Sequence, residues 1–192
     1  MSQRNALLEG AKKCLVDKGY SRTTARDITA ASGAHLASIG YHFGSKDRLM
    51  NLAAVELSSE WGDRLEETVR AIGGNDPGDR LAALVEELVA ALPDVRELQS
   101  AALAAIAQAP YDEDLREELA STYGHTRRNL AGVVLGTSEV AEGSAAEQGV
   151  GTLVYALVIG LGVQALTAPE SLPGPEVVAA GVAALTSDST GG

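Results

Sequence analysis

Apolar positions recur at helical spacing along almost the whole chain. Ala6, Leu7, Ala11, Cys14 and Leu15 share one face of a predicted helix over residues 4–18, which Gly19 ends. Lys12, Lys13 and Lys18 lie off that stripe and read as a solvated face or as phosphate contacts. A shorter helix follows. Thr24 can cap it, Asp27 stands three residues on to return the hydrogen bond, and Ile28 and Ala31 give it a small apolar face. Gly33 supplies the left-handed turn that a helix end favours. The next helix, residues 34–43, presents Leu36, Ile39 and Phe43 on one side and leaves His35, Ser38, Tyr41 and His42 outward. Ser45 then caps a long helix, with Asp47 in its first turn. Its stripe runs through Leu49, Leu52, Ala53, Leu57, Trp61, Leu65 and Val69 and stops at Gly73-Gly74. At about 27 residues it would span roughly 40 Å, long enough to join two bodies.

The remaining pattern is also helical. Helices are predicted over 79–92, broken by Pro93; over 94–109, ended by Pro110; and over 112–135. Asp112-Glu113-Asp114 reads as the acidic start of the last of these, not as a metal site. A polar loop of residues 136–143 leads to the most apolar helix, residues 144–166. A short final helix covers 176–185. No segment shows sustained strand alternation, and no repeat is visible. The expectation is an all-α protein: a three-helix head over residues 1–50, a helical bundle over 51–186, and a disordered tail over 187–192.

Helix, tight turn and second helix over residues 23–49 form a helix-turn-helix, whose second helix enters the major groove of DNA. The stretch Ile39-Gly40-Tyr41-His42-Phe43-Gly44-Ser45-Lys46-Asp47 closely resembles the signature of TetR-family transcriptional regulators. The resemblance extends to Leu15, Gly19, Thr24, Arg26-Asp27-Ile28 and Leu49, and so covers the first fifty residues. Three places depart from the family pattern. Ala34-His35 stands where Val-Ser is common, Ala37 where Gly is frequent, and Gly40 where Tyr is common. Loss of the Ser removes a usual cap, and Gly40 costs the helix roughly 0.5–1 kcal/mol relative to Ala.

Charge placement supports the same reading. The net charge is −11, yet residues 1–50 hold eight Lys and Arg against four Asp and Glu, and the remainder seven against twenty-two. A basic head on an acidic body predicts DNA binding through one end. The single cysteine, Cys14, allows no intramolecular disulfide and favours a cytoplasmic location. No secretory signal is visible, and the apolar run Leu153 to Val163 is shorter than the roughly 20 residues needed to cross a bilayer.

No catalytic constellation is visible, and no cofactor is expected. His35, His42 and His125 form no zinc-ligand spacing, and Gly160-Leu161-Gly162 lacks a dinucleotide fingerprint. The resemblance implies a homodimeric regulator, a repressor released from a palindromic double-stranded DNA operator by a small-molecule effector, with no membrane partner. DNA contacts are expected at Thr24, Arg26, His35, Leu36, Ser38, Tyr41, His42 and Lys46. Candidate effector contacts, from helix faces and family analogy, are Trp61, Leu65, Leu88, Gln99, Leu103, Ile106 and Tyr123. Residues 157–170 resemble the final core helix of such regulators, which implies a dimer interface including Leu119, Leu130, Leu153, Leu157, Gly160, Leu161 and Gln164. The alternative from a different class is a helical small-molecule-binding or enzymatic protein whose helix-turn-helix no longer reads DNA.

Overall fold

A computed structural model describes residues 2–186, so the expected tail over 187–192 lies outside the described residues. Nine α-helices and no strand occur among the described residues: α1 Gln3–Lys18, α2 Ala25–Ser32, α3 Leu36–Phe43, α4 Lys46–Ile72, α5 Pro77–Ala91, α6 Arg96–Gln108, α7 Glu113–Leu135, α8 Thr152–Thr167 and α9 Pro175–Thr186. The all-helical expectation holds, and the boundaries fall where local chemistry puts them. Thr24 and Asp27 form a reciprocal capping box on α2, and Gly33 closes that helix at φ 70°. Ser45 Oγ accepts from Arg48 N at 3.0 Å and so caps α4. Pro77 sits in the first turn of α5, where its missing N–H costs nothing, and Asp76 caps it.

The chain divides into two compact units. One comprises the residues up to Glu60 together with Glu97–Ala120; the other comprises Trp61–Arg96 and the residues from Ser121 onward. The division therefore falls within α4 and within α7.

In the first unit the buried residues include Leu7, Ala11 and Leu15 of α1, Ile28 of α2, Ile39 and Phe43 of α3, Leu49, Met50 and Ala53 of α4, Ala101 and Ala105 of α6, and Leu115 and Leu119 of α7. Thr23 Oγ1 donates to the carbonyls of Gly19 at 2.8 Å and Cys14 at 3.2 Å, fixing the α1–α2 turn. Tyr20 Oη donates to Asn51 Oδ1 at 2.8 Å and ties that turn to α4. Cys14 is buried, as expected of a small core residue, and burial raises its thiol pKa. Lys12 corrects the expectation of a solvated lysine. It is only 9% exposed, and its ammonium meets Glu60 at 2.5 Å, Glu9 at 2.7 Å and Glu56 at 3.5 Å.

In the second unit, Val69, Leu84, Leu130, Val133, Val134 and Val154 form one core cluster. A second cluster joins Val85, Leu88, Val89 and Leu92 of α5 and its C-cap to Leu161 of α8 and Val182 of α9. A π-helical turn, Ala146–Gly151, leads directly into α8. The continuous helical stretch Ala146–Thr167 is thus 22 residues long and strongly apolar. That corrects the argument from the run Leu153 to Val163, because the whole stretch has enough length to cross a bilayer. Its buried Glu147, however, accepts from Gly143 N at 2.6 Å and pairs with Arg127 at 3.7 Å and Arg128 at 3.6 Å of α7. These contacts fasten the start of the stretch to α7 of the same unit.

Candidate nucleic-acid interface

The site is built by α2, the three-residue turn, and α3. Phe43 and Ile39 bury one face of α3 and set its rotation about its own axis. Leu36 does not join them. It is 53% exposed, correcting its placement on the inward stripe, because α3 begins only at Leu36 and the residue sits at the open N-terminal edge. The outward face therefore carries Leu36, Ala37, Gly40 and Tyr41 in the open, with Ser38 and His42 half-buried beside them.

Tyr41 is 85% exposed, and its ring stands edge-on to His42 at 4.8 Å between centroids. His42 in turn meets Phe43 at 6.4 Å. An exposed tyrosine held by a neighbouring ring offers a hydroxyl at the helix surface with little side-chain entropy left to lose. His35 occupies the cap position of α3 but makes no side-chain capping bond, so the N–H groups of that first turn lack a side-chain partner. Such a turn suits an incoming anion. A Cβ at Gly40 would meet nothing within 4 Å, so the glycine is not required by packing within the chain.

Cations flank this face. Arg26 is exposed on α2. Lys46 is half-buried, donates to Thr23 O at 3.2 Å, pairs with Asp47 at 3.2 Å and lies 5.8 Å from the centre of the Tyr20 ring. Its ammonium already has partners that a phosphate would have to share. Thr24 is exposed, but its hydroxyl donates to Asp27 Oδ2 at 2.7 Å. Asp27 is also bonded to Lys18 at 2.6 Å and to Thr24 N at 2.9 Å. The Lys18 hydrogen bond and then those from Thr24 hold the Asp27 carboxyl well below the usual carboxylate range. Sequence reading missed Arg4. Its guanidinium lies 5.3 Å from the centre of the Phe43 ring and adds a positive charge beside α3. Helical periodicity on α1 could not have found it, since the contact crosses to another helix.

The other expected site residues are spread over both units. Gln99, Leu103 and Ile106 belong to α6 in the first unit. In the second, Trp61 and Leu65 pack half-buried against the cluster that contains the fully buried Leu88. Tyr123 pairs instead with Tyr155, ring centres 5.1 Å apart. Of the expected interface residues, Leu119, Leu130 and Leu161 are buried in their own chain and offer little to a partner. Leu153 is 73% exposed, Gln164 is exposed, and Leu157 and Gly160 are half-buried.

Two family patterns match the chain. The one described as "Bacterial regulatory proteins, tetR family" matches residues 7–53. The one described as "BetI-type transcriptional repressor, C-terminal" matches residues 77–187. The HTH-type transcriptional repressor AcnR of Corynebacterium efficiens is 34% identical over 73 residues, which cover 38% of this chain and 37% of that protein. AcnR of Corynebacterium glutamicum is 33% identical over 72 residues, covering 38% and 36%. The chain thus aligns with little more than a third of the length of these curated relatives. Among solved structures, a candidate transcriptional regulator from Rhodococcus sp. RHA1 superimposes with a TM-score of 0.70 at 21% identity, covering 96% of this chain and 95% of that one. Another, from Saccharomonospora viridis, solved in complex with choline, gives 0.59 at 23% identity over 93% and 92%. With both halves matched and the outward face of α3 left without a core role, the chain belongs to the TetR family of transcriptional regulators.

Proposed function

We propose that the chain is a homodimeric repressor that holds a palindromic operator through α3 and is released from it by a small molecule. The observation that carries this reading is the composition of the free face of α3. Leu36 and Tyr41 are large, exposed and unused by the fold, and Arg4, Arg26 and Lys46 supply positive charge around them. Leu36 suits a thymine methyl, and Ser38, Tyr41, His35 and His42 suit hydroxyl or imidazole contacts to phosphates and base edges. None is an Arg–guanine fork, so operator choice leans on DNA shape as well as on direct contacts.

The dimer is assigned to the face of α8 that carries Leu153, Leu157, Gly160 and Gln164, extended by the exposed Val163 of α8 and Val177 of α9. Apolar side chains of this size in the open are what a partner copy would cover. The effector is assigned to Trp61 and Leu65 on α4, with Tyr123 on α7. A relative of the same fold solved with choline supports the idea that such a helical body accommodates a small molecule.

Gel-shift titration against DNA from upstream of the protein's own gene tests the reading. A palindromic segment should be retained and should show a steep salt dependence. Arg26→Ala should weaken binding to all sequences alike and lower the salt slope by about 1. Lys46→Ala should lower it by less, because that ammonium is already shared with Thr23 O and Asp47. A folded dimer that retains no DNA at low salt would overturn the reading and favour a small-molecule-binding helical protein instead.

A further inference from the structure

A cavity of about 410 Å3 opens within the second unit, in the size range of small-molecule sites. One wall is a single face of α4, with Asp63, Glu66, Glu67 and Arg70 at helical spacing. The opposite wall is His125 and Asn129 of α7, with Ser138 of the loop that follows. Glu66 is the unusual member. It is only 7% exposed, lines the cavity, and has neither a hydrogen bond nor an ion pair among the described residues. A buried carboxylate without a partner is costly, and such groups are normally paired.

Its neighbours do not relieve it. Arg70 reaches away, donating through Nη1 to Thr137 O at 3.1 Å. Asn129 Nδ2 donates to Asp63 Oδ1 at 3.4 Å and lies 3.2 Å from His125 Nε2, so these three side chains hold one another in place. Asp63, Glu66 and Glu67 against the one guanidinium of Arg70 give the lining a formal charge of −2 when Glu66 is ionised and −1 when it carries a proton. Two features narrow the ligand further. No three His, Cys, Asp or Glu side chains among the described residues stand close enough to share a metal ion. The lining also has no Trp, Tyr or Phe ring to hold a quaternary ammonium. Its acceptors call for N–H donors.

We propose that this cavity binds a short aliphatic diamine, with one ammonium bonded to Glu66 inside and the other held by Asp63 and Glu67 at the mouth. The inference goes beyond the operator reading, and DNA takes no part in its test. Proton bookkeeping gives it a signature. Burial first, and then the charge of Asp63, push the Glu66 carboxyl up to about 8, with Arg70 acting in the opposite direction. The empty site therefore holds Glu66 mostly protonated at neutral pH. An ammonium favours the ionised form, so binding expels that proton to the buffer. Glu67 at the mouth and His125 on the opposite wall complete the titratable groups facing it.

Isothermal titration of the full-length protein with 1,4-diaminobutane reads this directly. At pH 7, in two buffers of different ionisation enthalpy, binding should release close to one proton, and affinity should rise roughly tenfold from pH 6 to 7 and about fivefold from pH 7 to 8. Glu66→Gln is isosteric and removes only the troublesome charge. It should melt no lower than the parent at pH 8, lose the proton release, and bind at least tenfold more weakly. Tetramethylammonium chloride and 1,4-butanediol should give no comparable heat, and millimolar magnesium should not displace the diamine. Failure of 1,4-diaminobutane to bind the folded parent would overturn the proposal. So would equal binding by Glu66→Gln, equal binding of tetramethylammonium, or displacement by magnesium at similar concentration.

Discussion

Lys12 shows how a single residue can contradict the face on which its helix places it. Helical spacing puts it outside the apolar stripe of α1, yet three carboxylates converge on its ammonium and draw it out of solvent. Burial opposes its charge, but the hydrogen bonds and charges of Glu60 and Glu9 outweigh that and hold its pKa above the ordinary lysine value. A raised folded-state pKa means the contribution is fully present below the unfolded value and is lost only as pH rises through the alkaline range. Lys12→Met should therefore cost about 1–2 kcal/mol at pH 7, less than a fully buried pair because the glutamates are half-exposed. Urea denaturation at pH 7 and pH 11 checks this: the difference between parent and variant should shrink at the higher pH. Gly40 tests the opposite case, a residue whose weakness serves no packing need. Its Cβ position is open, so Gly40→Ala should stabilise α3 by roughly 0.5–1 kcal/mol in a thermal melt. If operator binding falls in that stabilised variant, the bare backbone at Gly40 lies against DNA.

Elements were legible where local chemistry decides them. The capping box of Thr24 and Asp27, the left-handed Gly33, the Ser45 cap and the stop at Gly73 are all sequence-local, and they fix α2, the turn and both ends of α4. The buried side of α3 was legible through Ile39 and Phe43, and its free side through Tyr41. Leu36 was misplaced because periodicity does not reveal where a helix starts relative to its neighbours. Leu119, Leu130 and Leu161 were assigned to a partner because an apolar stripe does not say which body covers it. The glycines near α8 show the same limit. Gly160, expected to admit a partner helix, has open space at its Cβ position within its own chain. Gly151, not singled out by sequence, is the one against which α7 packs, since an added Cβ would collide with the Arg127 carbonyl. Gly151→Ala should therefore cost about 1–3 kcal/mol of stability, as overpacking does. Gly160→Leu should leave the melt of the monomer unchanged but shift sedimentation toward monomer. An intact dimer with Leu at position 160 would remove that face from the interface.

At the scale of the whole molecule, the charge division seen in the sequence and the division into two compact units do not coincide. The net-positive stretch ends near residue 50, whereas the first unit continues to Glu60 and takes in Glu97–Ala120. Positive charge gathers around the face proposed to meet DNA, while compactness follows the core, and α4 belongs to both descriptions. Trp61, the only tryptophan, stands on α4 just beyond Glu60, half-buried against the second unit's own cluster. Its emission reports on that cluster without a label. If the effector engages α4 there, emission should change over the same concentration range in which operator DNA is released. Coupling of binding free energies is reciprocal, so operator DNA must weaken effector binding by the same factor. Such factors typically fall between about 5 and 150. Trp61→Ala removes a side chain that is only half-buried, so the fold should survive with a moderate loss of stability. Operator affinity of the free protein should stay within about twofold of the parent, while effector affinity or the coupling factor falls at least fivefold. Fluorescence titration alongside gel shifts measures both quantities on one preparation. Loss of operator binding by a folded Trp61→Ala dimer would make Trp61 a packing residue that holds α4 in place. An effector that releases DNA while leaving the emission of the parent untouched would place its contacts elsewhere.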